Sequence, residues 1–313
     1  MLRTKFIYKI IFGIGLISIL SIGYSFVNQD DAKENIKTED PKKTFEENYN
    51  VFSIDVPKSL NFAGEPVPLD QPDIYERMDR ELLVNTYWQS NGILMIKRAK
   101  KYFPLIEPIL KANGVPDDFK YLAVAESGLT DVVSPVGATG FWQILKSTGV
   151  EYGLEINSNV DERYHIEKAT QVACEYLKDA KEKFGTWTLA AASYNAGMSG
   201  ISNQMERQKA KGYYNLLLNE ETERYVFRIL AIKEILSHPK KYSFNIDENH
   251  LYKQIKTKTI EVDTAISDIP DFAKQFGLNY KQFKIHNPWL RDNYLVNNSG
   301  KVYQIKIPKK NQY

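Results

Sequence analysis

The chain has 313 residues, 43% hydrophobic and 26% charged, with a formal net charge of +2. That length suggests two domains, and so balanced a charge carries no electrostatic footprint for a nucleic-acid partner. The single cysteine, Cys174, cannot form an internal disulfide, and among Ala173, Tyr176 and Leu177 it reads as a small buried apolar residue and not as a nucleophile or metal ligand.

Residues 1–27 read as a signal peptide or signal anchor. Arg3, Lys5 and Lys9 precede an uncharged run over 10–27, and a helix of that length, about 27 Å, just spans a bilayer core with its basic flank on the cytoplasmic side. Ser21-Ile22-Gly23 and Gly23-Tyr24-Ser25 are small-x-small triplets open to a signal peptidase, so anchor and cleaved signal both stand. No cysteine lies near them, which argues against lipoprotein attachment. Either way the rest of the chain is expected in the extracytoplasmic cell envelope, the periplasm. Residues 28–50 are mostly acid, base and amide, too poor in apolar side chains to fold, and read as a flexible charged linker.

Residues 51–99 read as an N-terminal arm followed by helices packed on the core. Pro57, Pro66, Pro68 and Pro72 alternate with Val51, Phe52, Ile54, Val56 and Phe62, an extended arm whose apolar residues need cover. From Ile74 onward Met78, Leu82 and Leu83 return at helical spacing. Residues 100–245 continue as helices over 119–126, 168–184, 188–196, 201–209 and 222–236, with Gly185, Gly197 and Pro239 as breaks. The tail, 250–313, changes to strand alternation over 257–262 and 302–308 around two short helices at 269–276 and 280–285. The expected fold is mainly α, closed by a small β-α-α-β module.

Chemistry concentrates at the end of the 119–126 helix, where Glu126 is followed by the stop signal Ser127-Gly128. A carboxyl among Leu122, Ala123, Val124 and Ala125 is poorly solvated, which raises its pKa toward the range a general acid needs. For a glutamate taken alone, an exposed helix end is the competing reading. The loop Ser134-Pro135-Val136-Gly137-Ala138-Thr139-Gly140-Phe141-Trp142-Gln143 then makes two small-residue turns before presenting an aromatic and an amide. A later block, Ala190-Ala191-Ala192-Ser193-Tyr194-Asn195-Ala196-Gly197, joins small packing residues to a phenol and an amide, and Glu221-Thr222-Glu223-Arg224-Tyr225-Val226 follows.

In this order, with Gly149-Val150-Glu151-Tyr152-Gly153-Leu154 and Val160-Asp161-Glu162-Arg163 between them, these motifs resemble the lytic transglycosylases of the soluble-lytic-transglycosylase and goose-type-lysozyme fold. Within that fold they look most like the membrane-bound murein transglycosylases of the D type. The resemblance covers roughly residues 100–235. It implies a lysozyme-like helical domain that cleaves the MurNAc-GlcNAc bond of peptidoglycan without water, leaves anhydro-muramoyl ends in cell-wall remodelling, and needs no cofactor or metal. It also implies Glu126 as the one catalytic acid and base, Ser134, Gln143, Tyr194 and Asn195 as cleft residues holding the sugar, and Tyr225 as the group that closes the far side and fixes Glu126. Ser134 reads equally as a turn residue before Pro135.

Glycosidases usually carry two carboxylates, whereas Asp131, Glu151, Asp161 and Glu162 all lie in polar stretches that suit solvation or helix capping. A goose-type-lysozyme-like hydrolase using the same glutamate, and a non-catalytic wall-binding protein, are the rival functions. The scattered His165, His238, His250 and His286 form no metal-ligand spacing. The tail resembles a divergent LysM module through His286-Asn287-Pro288 and Ile307-Pro308, with Val262-Asp263-Thr264 where that family usually carries Gly-Asp-Thr; glycan binding and a purely structural role both stay open. The expected partners are peptidoglycan glycan strands, the membrane if the N-terminal segment is uncleaved, and no nucleic acid.

Overall fold

The computed structural model describes residues 51–309, and the expected signal segment and linker at 1–50 lie outside them. All elements below belong to one compact unit, Ile54–Tyr313. A small antiparallel hairpin, β1 (Asn61–Phe62) and β2 (Glu65–Pro66), opens it. Helices α1 (Pro72–Tyr87), α2 (Gln89–Ala112), α3 (Phe119–Ser127), α4 (Lys146–Glu151), α5 (Ile166–Phe184), α6 (Trp187–Ala196), α7 (Met198–Gln208) and α8 (Glu220–Ser237) follow. Among the described residues no helix is long and apolar enough to cross a membrane.

The helices form where apolar residues return every third or fourth position. Ile74, Met78 and Leu82 give α1 one fully buried stripe, and Pro72 starts it at a position where the missing N–H costs nothing. Helix α8 buries nearly its whole middle, from Tyr225 through Ile232 apart from Arg228, because it lies against α1, α3 and α6 at once. Its start two residues ahead of the periodic pattern is set by Asn219, whose side chain accepts from Thr222 N at 3.0 Å. The charged first turn, Glu220, Glu221 and Glu223, is helical but carries no apolar rhythm to reveal it. Helix α2 runs through Pro104 and Pro108 without ending.

Two elements carry no sequence signal. The strands of the hairpin are two residues each, too short for alternation, and α4 spans six residues around Gly149, whose missing side chain makes room for Ile156, Leu154 and Ile144. The arm is held down: Phe62 is fully buried, edge-on to Phe119 at 5.1 Å, and Ile54, Val56 and Leu60 pack on the same core, while Val51 stays 66% exposed.

The hairpin also reaches the far end of the core. Glu65 accepts from Trp187 N at 2.6 Å, Thr188 N at 2.8 Å and Thr188 Oγ1 at 2.6 Å, so an acid from β2 sits on the N-terminus of α6. Burial pushes its pKa up, but the bonds from Thr188 and Trp187 and the charge of Lys181 outweigh this and leave it below the ordinary value. A depressed folded-state pKa contributes stability that is present above the unfolded value and is lost as pH falls through the folded one. Glu65→Ala is therefore expected to cost about 2 kcal/mol at neutral pH, a fall of roughly 4–8 °C in Tm. In thermal unfolding the gap from wild type should narrow in acid; an undiminished gap at low pH would assign the loss to packing instead.

The C-terminal module pairs β3 (Thr257–Val262) with β4 (Tyr303–Pro308) in antiparallel register, Thr257 opposite Pro308 and Val262 opposite Tyr303. Between them lie α9 (Ile269–Lys274), capped by Asp268, and α10 (Tyr280–His286), started by a capping box of Asn279 and Gln282. Its core of Ile269, Phe283, Trp289, Leu290, Ile305 and Ile307 also contains Val160 and Tyr164 from the helical part. Backbone bonds stitch that seam, Asp161 N to Trp289 O at 2.8 Å and Arg291 N to Asn159 O at 2.7 Å. Lys301 bridges Glu155 and Glu162 across it. Cys174 is fully buried, and burial pushes its thiol up to about 12.

Candidate functional site

Helix α3 ends one residue after Glu126 because Gly128 turns into the left-handed region (φ +59°), its N–H still bonded to Val124 O at 2.8 Å. Ser127 ties that end to the following loop by donating to Phe141 O at 2.8 Å, and Arg98 Nη1 donates to Gly128 O at 3.1 Å. Glu126 is therefore held on a rigid helix end, half-buried, with the loop folded back beside it.

Packing of α8 on α3 brings Tyr225, 99 residues along the chain, against it. The Tyr225 hydroxyl donates a short hydrogen bond to Glu126 Oε1, while Oε2 bonds to no described residue. Burial lifts the Glu126 pKa to about 7; the Tyr225 bond and the charge of Arg228 oppose the rise and Glu221 adds to it. This carboxyl is still half protonated near neutral pH.

Helix α6 delivers the next two groups. Tyr194 donates to Trp142 O at 2.7 Å and stands edge-on to Tyr176 at 5.3 Å, so its oxygen keeps only acceptor capacity. Asn195 accepts from Thr222 Oγ1 at 2.7 Å and gives one amide hydrogen to Glu221 at 3.3 Å, which leaves the other for a ligand. In the loop, Gln143 has a left-handed backbone (φ +46°) and donates to Val132 O at 3.0 Å and Gly140 O at 2.9 Å. Both amide hydrogens are thus used, and its carbonyl oxygen accepts from no described residue. Ser134 makes the turn, its Oγ accepting from Ala138 N at 3.0 Å, and also lines the cleft.

All six residues, Glu126, Ser134, Gln143, Tyr194, Asn195 and Tyr225, line one cleft of about 640 Å³. Four other carboxylates named in the sequence lie elsewhere: Asp131 lines a groove against the C-terminal module, Glu151 ends α4, Asp161 pairs with Arg163 at 2.7 Å, and Glu162 is bonded to Lys168 and Lys301. Asp161 and Glu162 are buried within ion pairs and not solvated. The second carboxylate of the cleft is Glu221, exposed and turned to Asn195. Among the described residues no group of three or more His, Cys, Asp or Glu could hold a metal.

Three participants escaped sequence reasoning. Arg163 clamps the loop, donating from Nη1 to Gly137 O at 2.9 Å and Ile144 O at 3.2 Å while its other nitrogens hold Asp161. Arg228 lines the cleft one turn after Tyr225, a spacing that puts both on one helix face and could have flagged it. Trp88, between α1 and α2, is 59% exposed on a second hollow that shares Glu126 with the cleft; nothing in its sequence context marks it.

Residues 104–217 match the family described as the transglycosylase SLT domain, and residues 258–311 match the soluble lytic transglycosylase C-terminal LysM-like domain. The chain thus contains an SLT domain followed by a LysM-like domain. It is 28% identical over 258 residues to the membrane-bound lytic murein transglycosylase D of Escherichia coli K12, and to the same degree to that of strain O6:H1. The alignment takes in 80% of this chain and 55% of the relatives, so the chain spans about half their length. Among solved structures, the 70 kDa soluble lytic transglycosylase of Escherichia coli overlaps 49% of this chain and 27% of its own, at 20% identity and a TM-score of 0.39. An inactive variant of the Pseudomonas aeruginosa lytic transglycosylase Slt overlaps 49% and 26%, at 21% identity and a TM-score of 0.37.

Proposed function

We propose that this chain is a lytic transglycosylase of the cell envelope, cleaving the MurNAc-GlcNAc bond of peptidoglycan and closing the muramoyl end on itself. The observation that carries this is a single half-buried acid, Glu126, with its pKa lifted to about 7 and one oxygen held by Tyr225, in a cleft with Gln143, Tyr194 and Asn195. Glu126 protonates the bridging oxygen as the bond from the anomeric carbon breaks, releasing the GlcNAc hydroxyl. The substrate's own N-acetyl carbonyl stabilises the electron-poor carbon, its C6 hydroxyl attacks there, and the Glu126 carboxylate takes that hydroxyl's proton. The acid is restored and no water is consumed.

Around it, the Gln143 carbonyl oxygen, the free Asn195 amide hydrogen, the Tyr194 oxygen and Ser134 Oγ supply hydrogen bonds to the sugar, and Tyr225 keeps Glu126 oriented. Residues 1–27 direct the chain across the inner membrane and either anchor it there or are removed.

A hydrolase is the second reading, because Glu221 gives the cleft another carboxylate. Digestion of purified peptidoglycan by the full chain, with products weighed, separates the two. Products one water lighter than hydrolytic muropeptides support the transglycosylase; hydrated products move the assignment to a lysozyme-type hydrolase, and no products to a wall-binding protein.

A further inference from the structure

The seam between the helical part and the C-terminal module centres on residues 159–164, a segment held from one side that holds something on the other. From the module, Arg291 N donates to Asn159 O at 2.7 Å, Val296 N to Asn159 Oδ1 at 3.0 Å, and Val160 bridges Leu290 as an antiparallel pair. Asp161 N donates to Trp289 O at 2.8 Å, Lys301 Nζ lies 3.3 Å from Glu162 Oε1, and the Arg291 guanidinium sits 3.9 Å from the centre of the Tyr164 ring. Asp161, Glu162 and Tyr164 are thus each gripped by the module. Arg163, among them, spends its side chain elsewhere: Nε and Nη2 hold Asp161, and Nη1 reaches Gly137 O at 2.9 Å and Ile144 O at 3.2 Å. Its own carbonyl oxygen packs against Gly140, where a Cβ would lie only 2.3 Å away.

Gly137, Gly140 and Ile144 enclose the part of the cleft loop that carries Gln143 and the Trp142 carbonyl to which Tyr194 donates. Glycines at positive φ leave a free loop many backbone states, so where this one rests depends on what clamps it. The clamp is Arg163, and the clamp's own footing is the module. We propose that the C-terminal module is a brace for the cleft loop, acting through residues 159–164 with Arg163 as the positioning residue. A module that only captured glycan would work from a loose tether. This one instead shares its core with Val160 and Tyr164 and supplies a cation to the buried Glu162. The coupling runs through contiguous bonds and packed backbone, the physical means by which one element sets the position of another. Its consequence for cleavage rests on the transglycosylase reading; its consequence for the loop does not.

The test uses the full chain carrying Arg291→Gln and Lys301→Met together. Both side chains are at least partly exposed, and losing them removes two grips of the module while sparing the cleft, the loop and the backbone bonds of the seam. Thr139 N and Ile144 N bond to each other's carbonyls at 3.1 Å, and Gly140 N donates to Val132 O at 2.9 Å. Hydrogen exchange at these three amides should quicken about tenfold, while amides in the middle of α8 keep their wild-type rates. Unchanged loop rates, or equal quickening in α8 as in a general loss of stability, overturn the brace. On short soluble glycan strands kcat should fall several-fold, and adding the two substitutions to Arg163→Lys, which lacks the fork, should lower it no further. Full additivity, or a loss confined to KM on intact sacculi, also overturns the brace. A wild-type chain that cuts no glycan overturns the transglycosylase reading instead, and the exchange rates still decide whether the module holds the loop.

Discussion

Glu126→Gln is expected to slow peptidoglycan cleavage by roughly 10²–10⁴-fold while leaving the fold intact. The amide preserves the side chain's shape and can still accept from Tyr225, but it can neither donate a proton to the leaving oxygen nor take one from the attacking hydroxyl. Both halves of the proposed reaction use this one residue, and Glu221, the other carboxylate in the cleft, is exposed and occupied by Asn195. The wild-type pH profile makes the same point independently. Burial holds the Glu126 carboxyl at a pKa of about 7, and the first step needs it protonated. The rate should therefore fall on the alkaline side of about pH 7, approaching tenfold per unit. Activity retained by the Gln variant, or a rate that keeps climbing above neutrality, would remove Glu126 as the acid.

Gly140→Ala should be the most damaging single-methyl change in the cleft loop. Gly140 has φ +78°, and a Cβ there would lie 2.3 Å from the carbonyl oxygen of Arg163 and 3.1 Å from its carbon. The obstacle is backbone, and it cannot retreat cheaply, because the Arg163 side chain is fastened to Gly137 O, Ile144 O and Asp161. Left-handed strain of about 1–2 kcal/mol and an overpacking term of similar size sum to about 3 kcal/mol, a Tm lower by roughly 6–12 °C. Gly137 (φ +82°) is the control: its Cβ would meet nothing within 4 Å, so Gly137→Ala should show the strain alone. Equal Tm shifts for the two variants would mean the Arg163 contact is not rigid. Activity should fall with Gly140→Ala beyond the loss of folded protein, since the same loop carries Gln143 and the Trp142 carbonyl that Tyr194 binds.

Much of the architecture is written locally. The helix ending at Glu126 follows from an apolar run closed by Ser127-Gly128, and the strand at 257–262 from simple alternation; in both, neighbours in the chain decide the backbone. Cys174 among small apolar residues could be read as buried for the same reason. Asp161 and Glu162 could not. In sequence they are two acids in a polar stretch, yet they are buried, because folding brings Arg163, Lys168 and Lys301 to them, the last from more than a hundred residues away. The Glu65 cap on α6 spans 122 residues, and the Tyr225 bond to Glu126 spans 99. Periodicity tells which face of a helix is apolar, but the acidity of Glu126, and the Arg228 charge that tempers it, depend on which faces meet. Desolvation and Coulomb interaction act through space, so the chain alone determined the helices and the residue types on them, and only their packing decided which acid is poised and which charges stand around it.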